Sequence, residues 1–513
     1  MKTYNLSSLL EATSQEHPDR IAIVSGATRL SFGQLDATAN QVANLLRSLG
    51  VEPGDKVALM CPNVPQFTVI YYGILKAGAT VVPLNVLLKA REIAYHLSDS
   101  DAKAIFAFHG TAQLPIGAEA RGGVATAGTS THLVLIGSGT ADSCEHMISE
   151  QSTSFEPVAT NEDDTAVVLY TSGTTGQPKG AELRHRNMRD NVWFGGEVFR
   201  SDPDRPDTYL CALPLFHSFG QSVVQNSAIA YGGTLVMLPR FEPPAALELM
   251  LTESVTHLAG VPTMFWGLLG ALDEDTDVDR LAQNLRVAIS GGSALPLEIH
   301  KEFEQRFGVT ILEGYGLSET SPVASFSTFG APPRPGSVGV PIPGVEMALT
   351  HPTSWDPIDW APDAIGEIAI RGHNVFKGYL NRPGATDEVL SPDGWFRTGD
   401  LGRRDADGWY YIVDRAKDMI IRGGFNVYPR EIEEVLLTHP DVSLAAVIGV
   451  PHHSHGEEIK AIVVLTPGST ASADDIIRWS QGQMASYKYP REVDIVESLP
   501  MTATGKILKR ELT

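Results

Sequence analysis

The segment Tyr170 to Gly180 reads YTSGTTGQPKG, and it constrains the chain more than any other stretch. It follows Thr165-Ala-Val-Val-Leu169, a β-branched and aliphatic run that predicts a strand. The loop fed by that strand carries three glycines (Gly173, Gly176, Gly180), four hydroxyl side chains (Thr171, Ser172, Thr174, Thr175) and Lys179. Glycines let backbone N–H groups turn toward an anion, hydroxyls add donors, and lysine adds charge. This is the composition of a phosphate cradle. It is not a Walker A loop, because the residue five places after Gly173 is Pro178 rather than glycine. A Gly/Thr surface loop has the same composition, so the segment by itself leaves both readings open.

Around it, helix and strand patterns alternate. Leu35 to Leu49 shows helical spacing, Lys56 to Met60 reads as a strand, Phe67 to Ala77 as a helix and Thr80 to Leu84 as a strand. After residue 180 the rhythm returns. Thr234 to Leu238, His257 to Val261 and Arg286 to Ser290 are β-like, and Pro244 to Glu253 is helical. Such alternation predicts α/β layers with parallel strands. From about 331 to 413, short pieces such as Glu367 to Arg371 and Gly408 to Val413 between Gly, Pro and Asp turns predict a small antiparallel sheet or β-barrel. A compact α/β tail follows, with helices over Pro429 to Leu437 and Asp474 to Met484 and strands over Leu444 to Val450 and Ala461 to Leu465. Residues 117–141, rich in Gly, Ala, Ser and Thr, read as a surface loop.

A chain of 513 residues holds roughly three or four domains or subdomains. Lys plus Arg is 39 and Asp plus Glu is 61, a net charge of −22, which makes nucleic acid or an anionic membrane a poor partner. Cys61, Cys144 and Cys211 are scattered and odd in number, which fits a reducing cytoplasm rather than a disulfide framework. No apolar run is long enough for an integral membrane segment, and the N-terminus does not read as a signal peptide. The oligomeric state stays open, a homodimer included.

Further motifs follow the loop in order: LPLFHSFG (Leu213 to Gly220), SGGSALP (Ser290 to Pro296), EGYGLSETSP (Glu313 to Pro322), GEIAIRG (Gly366 to Gly372) and GWFRTGD (Gly394 to Asp400). DRAKDMIIRGGFNVYPREIE (Asp414 to Glu433) and PMTATGKILKREL (Pro500 to Leu512) complete the set. Together with the loop, these resemble the adenylate-forming enzymes: acyl-CoA synthetases, luciferases and peptide-synthetase adenylation domains. The texture is most similar to bacterial medium- and long-chain fatty acyl-CoA synthetases. The resemblance implies a large N-terminal α/β domain over 1–416, with a β-barrel subdomain near 331–413. It also implies a smaller mobile C-terminal α+β domain over 417–513, hinged at Lys417.

It further implies ATP, Mg2+ and coenzyme A as cofactors, and site residues to hold them. Thr171, Ser172, Gly173, Thr174, Thr175, Gly176 and Lys179 would cradle phosphate. Gly291, Gly292 and Ser293 would line adenine, with Gly314 in the same region and Tyr315 stacking on the base. Glu319 would hold the metal, and Ser318, where the family usually has Thr, would offer a hydroxyl to the α-phosphate. Asp400 and Arg415 would bind ribose, and Lys506 would bridge the carboxylate and the α-phosphate. Gly423 and Gly424 would line a narrow thiol tunnel. His217 would orient or gate near that tunnel, or serve only as a core histidine. Arg422 and Phe425 depart from the family's common Ser and Glu or Tyr. In isolation Tyr315 and Glu319 read as a buried aromatic and a surface acid, and Asp400 and Arg415 as turn residues.

The activity so implied is ATP-dependent conversion of a carboxylic acid to acyl-AMP and then to acyl-CoA. Segments expected along the acyl pocket (Trp193-Phe194, Gln221 to Asn226, Gly260 to Trp266, Ala288 to Ala294) contain no Arg or Lys. A second carboxylate would want such a partner, so a fatty acid is the first reading. An aromatic acid, a short dicarboxylate or delivery to a carrier protein are the alternatives. His217-Ser218 lacks the glycine of a nucleophile elbow at 216. His452, His453 and His455 suggest a metal, but they lie in a Pro/Gly turn with no matched ligand set and read as a solvated loop.

Overall fold

The alternating segments assemble into two large twisted layers. The computed structural model describes residues 5–129, 131–140, 143–171, 177–293, 295–332, 334–352, 354–359, 361–362, 364–423, 425–502 and 507–512. Ser172, Gly173, Thr174, Thr175, Gly176, Gly424 and Lys506 lie outside them. In a seven-stranded sheet, Thr165–Thr171, Thr80–Pro83, Lys56–Met60, Ala102–Phe108 and His132–Ile136 run parallel, and Lys179–Arg184 and Gly378–Tyr379 add an antiparallel edge. A nine-stranded sheet has Ile311–Gly316, Val287–Ser290, His257–Gly260, Thr208–Cys211, Thr234–Met237 and Ile21–Ser25 as its parallel centre. All three cysteines are buried and free.

Between the layers lies helix Pro65–Lys76, every residue of which from Phe67 onward is buried. A helix that is apolar on all sides has no solvent face to offer, so a two-sided interior is its stable place. Its one charge, Lys76, meets Asp36 of helix Phe32–Ser48 at 2.8 Å, as a buried ammonium requires. The two helices approach closely because position 73 is glycine: a Cβ there would stand 2.5 Å from Val42 Cβ.

Residues 117–141 do not form the expected surface loop. They carry most of helix Ile116–Ala127 and all of strand His132–Ile136. The glycines serve packing against helix Ala90–Ser100, since a Cβ at Gly123 would meet Ile93 Cγ2 at 2.5 Å. Small residues on a packed helix face mimic loop composition.

Downstream, Val345–Thr350, Gly366–Gly372, Phe396–Arg404 and Tyr410–Arg415 form a four-stranded antiparallel sheet. The last sheet is built on hairpin Val442–His452/Gly456–Leu465 and is joined by Ile420–Arg422, Phe425–Val427 and Glu492–Ile495, with helices Pro429–Leu436 and Ala473–Gln483 packed beside it. The architecture is the expected one: a large N-terminal α/β part with a small β-unit, then a smaller α+β part. Among the described residues, no helix is long and apolar enough to cross a membrane.

Gly73→Ala should lower stability by about 1–3 kcal/mol, the scale of overpacking a close-packed interior. Denaturant titration of the two proteins checks this, and an unchanged midpoint would contradict the packing account.

Candidate active site

Parallel strands place their C-terminal ends on one rim, where ligands of open α/β sheets are bound. Here the rims of both large sheets and the four-stranded sheet come together. Thr171 ends its strand in the seven-stranded sheet, opposite Lys179 in the antiparallel pair. Tyr315 lies near the end of Ile311–Gly316, and Ser318 and Glu319 form the tight turn that follows. Asp400 and Arg415 face each other across strands Phe396–Arg404 and Tyr410–Arg415.

The Glu319 carboxylate is buried. Tyr379 Oη donates to its Oε1 at 2.9 Å, and Thr171 Oγ1 stands 3.5 Å from the same oxygen. Lys179 Nζ lies 5.2 Å from the centroid of the Tyr379 ring, within cation–π range. Burial pushes the Glu319 pKa above the usual carboxylate value, while the Tyr379 hydroxyl, the Arg415 charge and Thr171 hold it down. Among the described residues no lysine or arginine reaches ion-pair distance of this carboxylate. A hard oxygen donor, buried and without a cation, fits a magnesium ion.

A few residues away, Tyr315 Oη donates to Asp400 Oδ2 at 2.7 Å, and Arg415 Nε lies 3.2 Å from Asp400 Oδ1. Burial and the Asp400 charge push the Tyr315 phenol well up, so it stays a donor. Arg415 acts through space on both Glu319 and Tyr315 and ties the two halves electrostatically. The structure thus gathers Thr171, Lys179, Tyr315, Glu319, Asp400 and Arg415, six residues far apart in the sequence.

The other expected residues fall around this centre. Gly314 pairs with Phe326 on the neighbouring strand. Gly291 abuts the Phe219 ring, while Gly292 and Ser293 are exposed beside it. His217 accepts a hydrogen bond from Phe219 N at its Nδ1 (3.3 Å), and its carbonyl accepts from Gln221 N at 3.0 Å in the π-helical stretch Gly220–Asn226, a rare form frequent at functional sites. Gly423 donates its N–H to His455 O at 2.8 Å in the C-terminal sheet. Trp193 and Trp266, in segments expected along the acyl pocket, are exposed. Sequence reasoning missed Tyr379. The only available signal was indirect: a buried glutamate needs a donor.

Comparison with known proteins agrees with the geometry. Residues 10–380 match the model of the AMP-binding enzyme family, and residues 431–506 that of the AMP-binding enzyme C-terminal domain. The chain is 34% identical to a long-chain-fatty-acid–CoA ligase of Bacillus subtilis (strain 168), over 99% of this chain and 94% of the relative. It is 35% identical to a feruloyl-CoA synthase of an Amycolatopsis species, over 100% and 99%. Among solved structures, ATP-bound MatB from Rhodopseudomonas palustris superposes with a TM-score of 0.90 at 33% identity, covering 99% of this chain and 98% of that one. The chain belongs to the AMP-binding enzyme family, and within it to the AMP-forming acyl-CoA synthetases, which are acid–thiol ligases.

The Tyr379 hydroxyl stabilises the ionised form of Glu319, so its removal raises that pKa further. Tyr379→Phe should move the acid limb of the adenylation pH–rate profile to higher pH. Pyrophosphate release measured from pH 5 to 9 checks the sign, and an unmoved limb would detach Glu319 from the reaction.

Proposed function

We propose that the enzyme activates a medium- or long-chain fatty acid. A carboxylate oxygen attacks the α-phosphorus of ATP and pyrophosphate leaves; the thiol sulfur of coenzyme A then attacks the acyl carbon and AMP leaves. The convergence of Lys179, Glu319, Asp400 and Arg415 on one rim carries this reading.

Both reactants of the first step are anions, so the site must offset their repulsion and the charge that builds on phosphate. Lys179, with the Ser172 to Gly176 backbone, is assigned to the phosphates, and Asp400 with Arg415 to the ribose hydroxyls. Tyr315 is assigned to the base, with Gly291, Gly292, Ser293 and Gly314 beside it. Glu319 would hold Mg2+, which when bound draws charge from the phosphates, and Ser318 offers its hydroxyl to the α-phosphate. Lys506 is assigned to the reacting carboxylate. A flexible point charge suits a position that must be vacated afterwards. The chain then divides at Lys417, and the part after it turns so that Gly423 and Gly424 replace Lys506 and border the thiol path. His217 orients groups near that path.

For the acid, what supports an apolar chain is that Trp193-Phe194, Gln221 to Asn226, Gly260 to Trp266 and Ala288 to Ala294 bring no lysine or arginine. Each buried methylene adds about 0.8 kcal/mol, so such a pocket selects by length. One observation favours a second reading. Gln221 is fully buried, and neither its Nε2 nor its Oε1 finds a partner among the described residues. An unpaired carboxamide is costly, and a hydroxylated aromatic acid would satisfy it.

Lys506→Ala should slow adenylation by roughly two or more orders of magnitude, the scale for losing one transition-state donor, yet spare thioester formation from supplied acyl-AMP. Equal losses in both half-reactions would reject the division at Lys417. Pyrophosphate release across acids from acetate to oleate, with benzoate, cinnamate and malonate, should peak at medium or long chains. A maximum at 4-hydroxycinnamate, added to the panel, would instead select the Gln221 reading, and acyl-AMP that coenzyme A fails to convert to acyl-CoA would point to a carrier-protein thiol.

A further inference from the structure

The turn after Val442–His452 holds three histidines whose spacing in the sequence matches no ligand set. The hairpin register supplies the missing member. His452 pairs with Gly456 and Val450 with Glu458. Side chains alternate along a strand and paired residues share a face, so His452 and Glu458 lie on the same side. Glycine at 456 leaves the place opposite His452 without a side chain, and His455 folds over from the turn. The result is a compact group: His452 Nδ1 and His455 Nδ1 are 3.1 Å apart, and one ring nitrogen of each histidine lies with a Glu458 carboxylate oxygen inside a 4.8 Å cluster.

We propose that His452, His455 and Glu458 form a transition-metal site of the zinc class, separate from the magnesium position at Glu319. Zinc–nitrogen bonds of about 2.0–2.1 Å set two tetrahedral ligand nitrogens roughly 3.3 Å apart, close to the spacing present before any metal enters. Two imidazoles and a carboxylate are a zinc donor set rather than a magnesium one. The carboxylate is already oriented. Arg422 grips both oxygens of buried Glu458, and Ile459 N–H donates to Oε1 at 2.9 Å, so Oε2 is the oxygen that keeps a lone pair for a metal. Outer-shell partners of this kind fix ligand geometry. Ser454 Oγ, 3.3 and 3.2 Å from the two Nδ1 atoms, closes one side of the cluster. His453 is more exposed and outside the ligand group.

The site backs directly onto hairpin Ile420–Val427. Gly423 N–H donates to the His455 carbonyl, and Arg422 pairs with Gly456. Bound metal would therefore stiffen the strands that flank Gly423. The metal site itself does not depend on the roles assigned above to that hairpin.

The test uses full-length, tag-free, chelator-stripped protein without nucleotide. It is titrated with Zn2+ against a chromophoric chelator, and separately with Co2+ followed by visible absorption. Wild type should take up one tight equivalent and develop a Co2+ band. His452→Ala and His455→Ala should each weaken Zn2+ binding by at least about tenfold, the lower scale for disturbing a metal's outer shell, with unchanged thermal melts. Glu458→Gln should also weaken it, and His453→Ala should not. Absence of stoichiometric uptake by wild type, or unchanged affinity in the His452→Ala/His455→Ala double variant, would overturn the assignment.

Discussion

A carboxylate taken out of water must meet donors or a cation, and two such carboxylates organise this protein. Asp400 is buried between the Tyr315 hydroxyl and the Arg415 guanidinium. Glu319 is buried against two hydroxyls with no lysine or arginine at ion-pair distance among the described residues, and burial drives its pKa upward. The first is nearly compensated within the chain; the second is left wanting positive charge. That difference divides the site into an end whose carboxylate is matched by Tyr315 and Arg415 and an end whose carboxylate is not.

The three sheets serve this division. Parallel strands end on a common rim, and the rims of the two large sheets face the same opening. Neither could bury the carboxylates alone. Asp400 and Arg415 come from the four-stranded antiparallel sheet, where cross-strand pairing fixes their separation. The residues that meet at the rim are scattered in the sequence from Thr171 to Arg415, and the topology makes them adjacent.

Much of this was legible in the sequence. Strands such as Lys56–Met60 and His257–Gly260 carry continuous apolar or β-branched runs, and the motif order from Tyr170 onward named most of the residues that meet at the rim. Helix Ile116–Ala127 was not legible, because the Gly and Ala that let it pack against Ile93 also make it look like a loop. Tyr379 escaped because its role exists only once Glu319 is buried beside it. At the His452 turn, Glu458 becomes a neighbour through strand register, which spacing along the chain does not display.

The π-helical stretch Gly220–Asn226 is pinned from both sides. Thr68 bonds Gln225 and Tyr72 bonds Asn226 from one helix, while Ser222 reaches the Ser321 carbonyl across the other sheet. It acts as a keystone, so those positions cannot be freely replaced without loosening the whole vault. Gln221, wedged among them with a side chain that finds no hydrogen-bond partner among the described residues, is where the stretch can drift while the architecture stands.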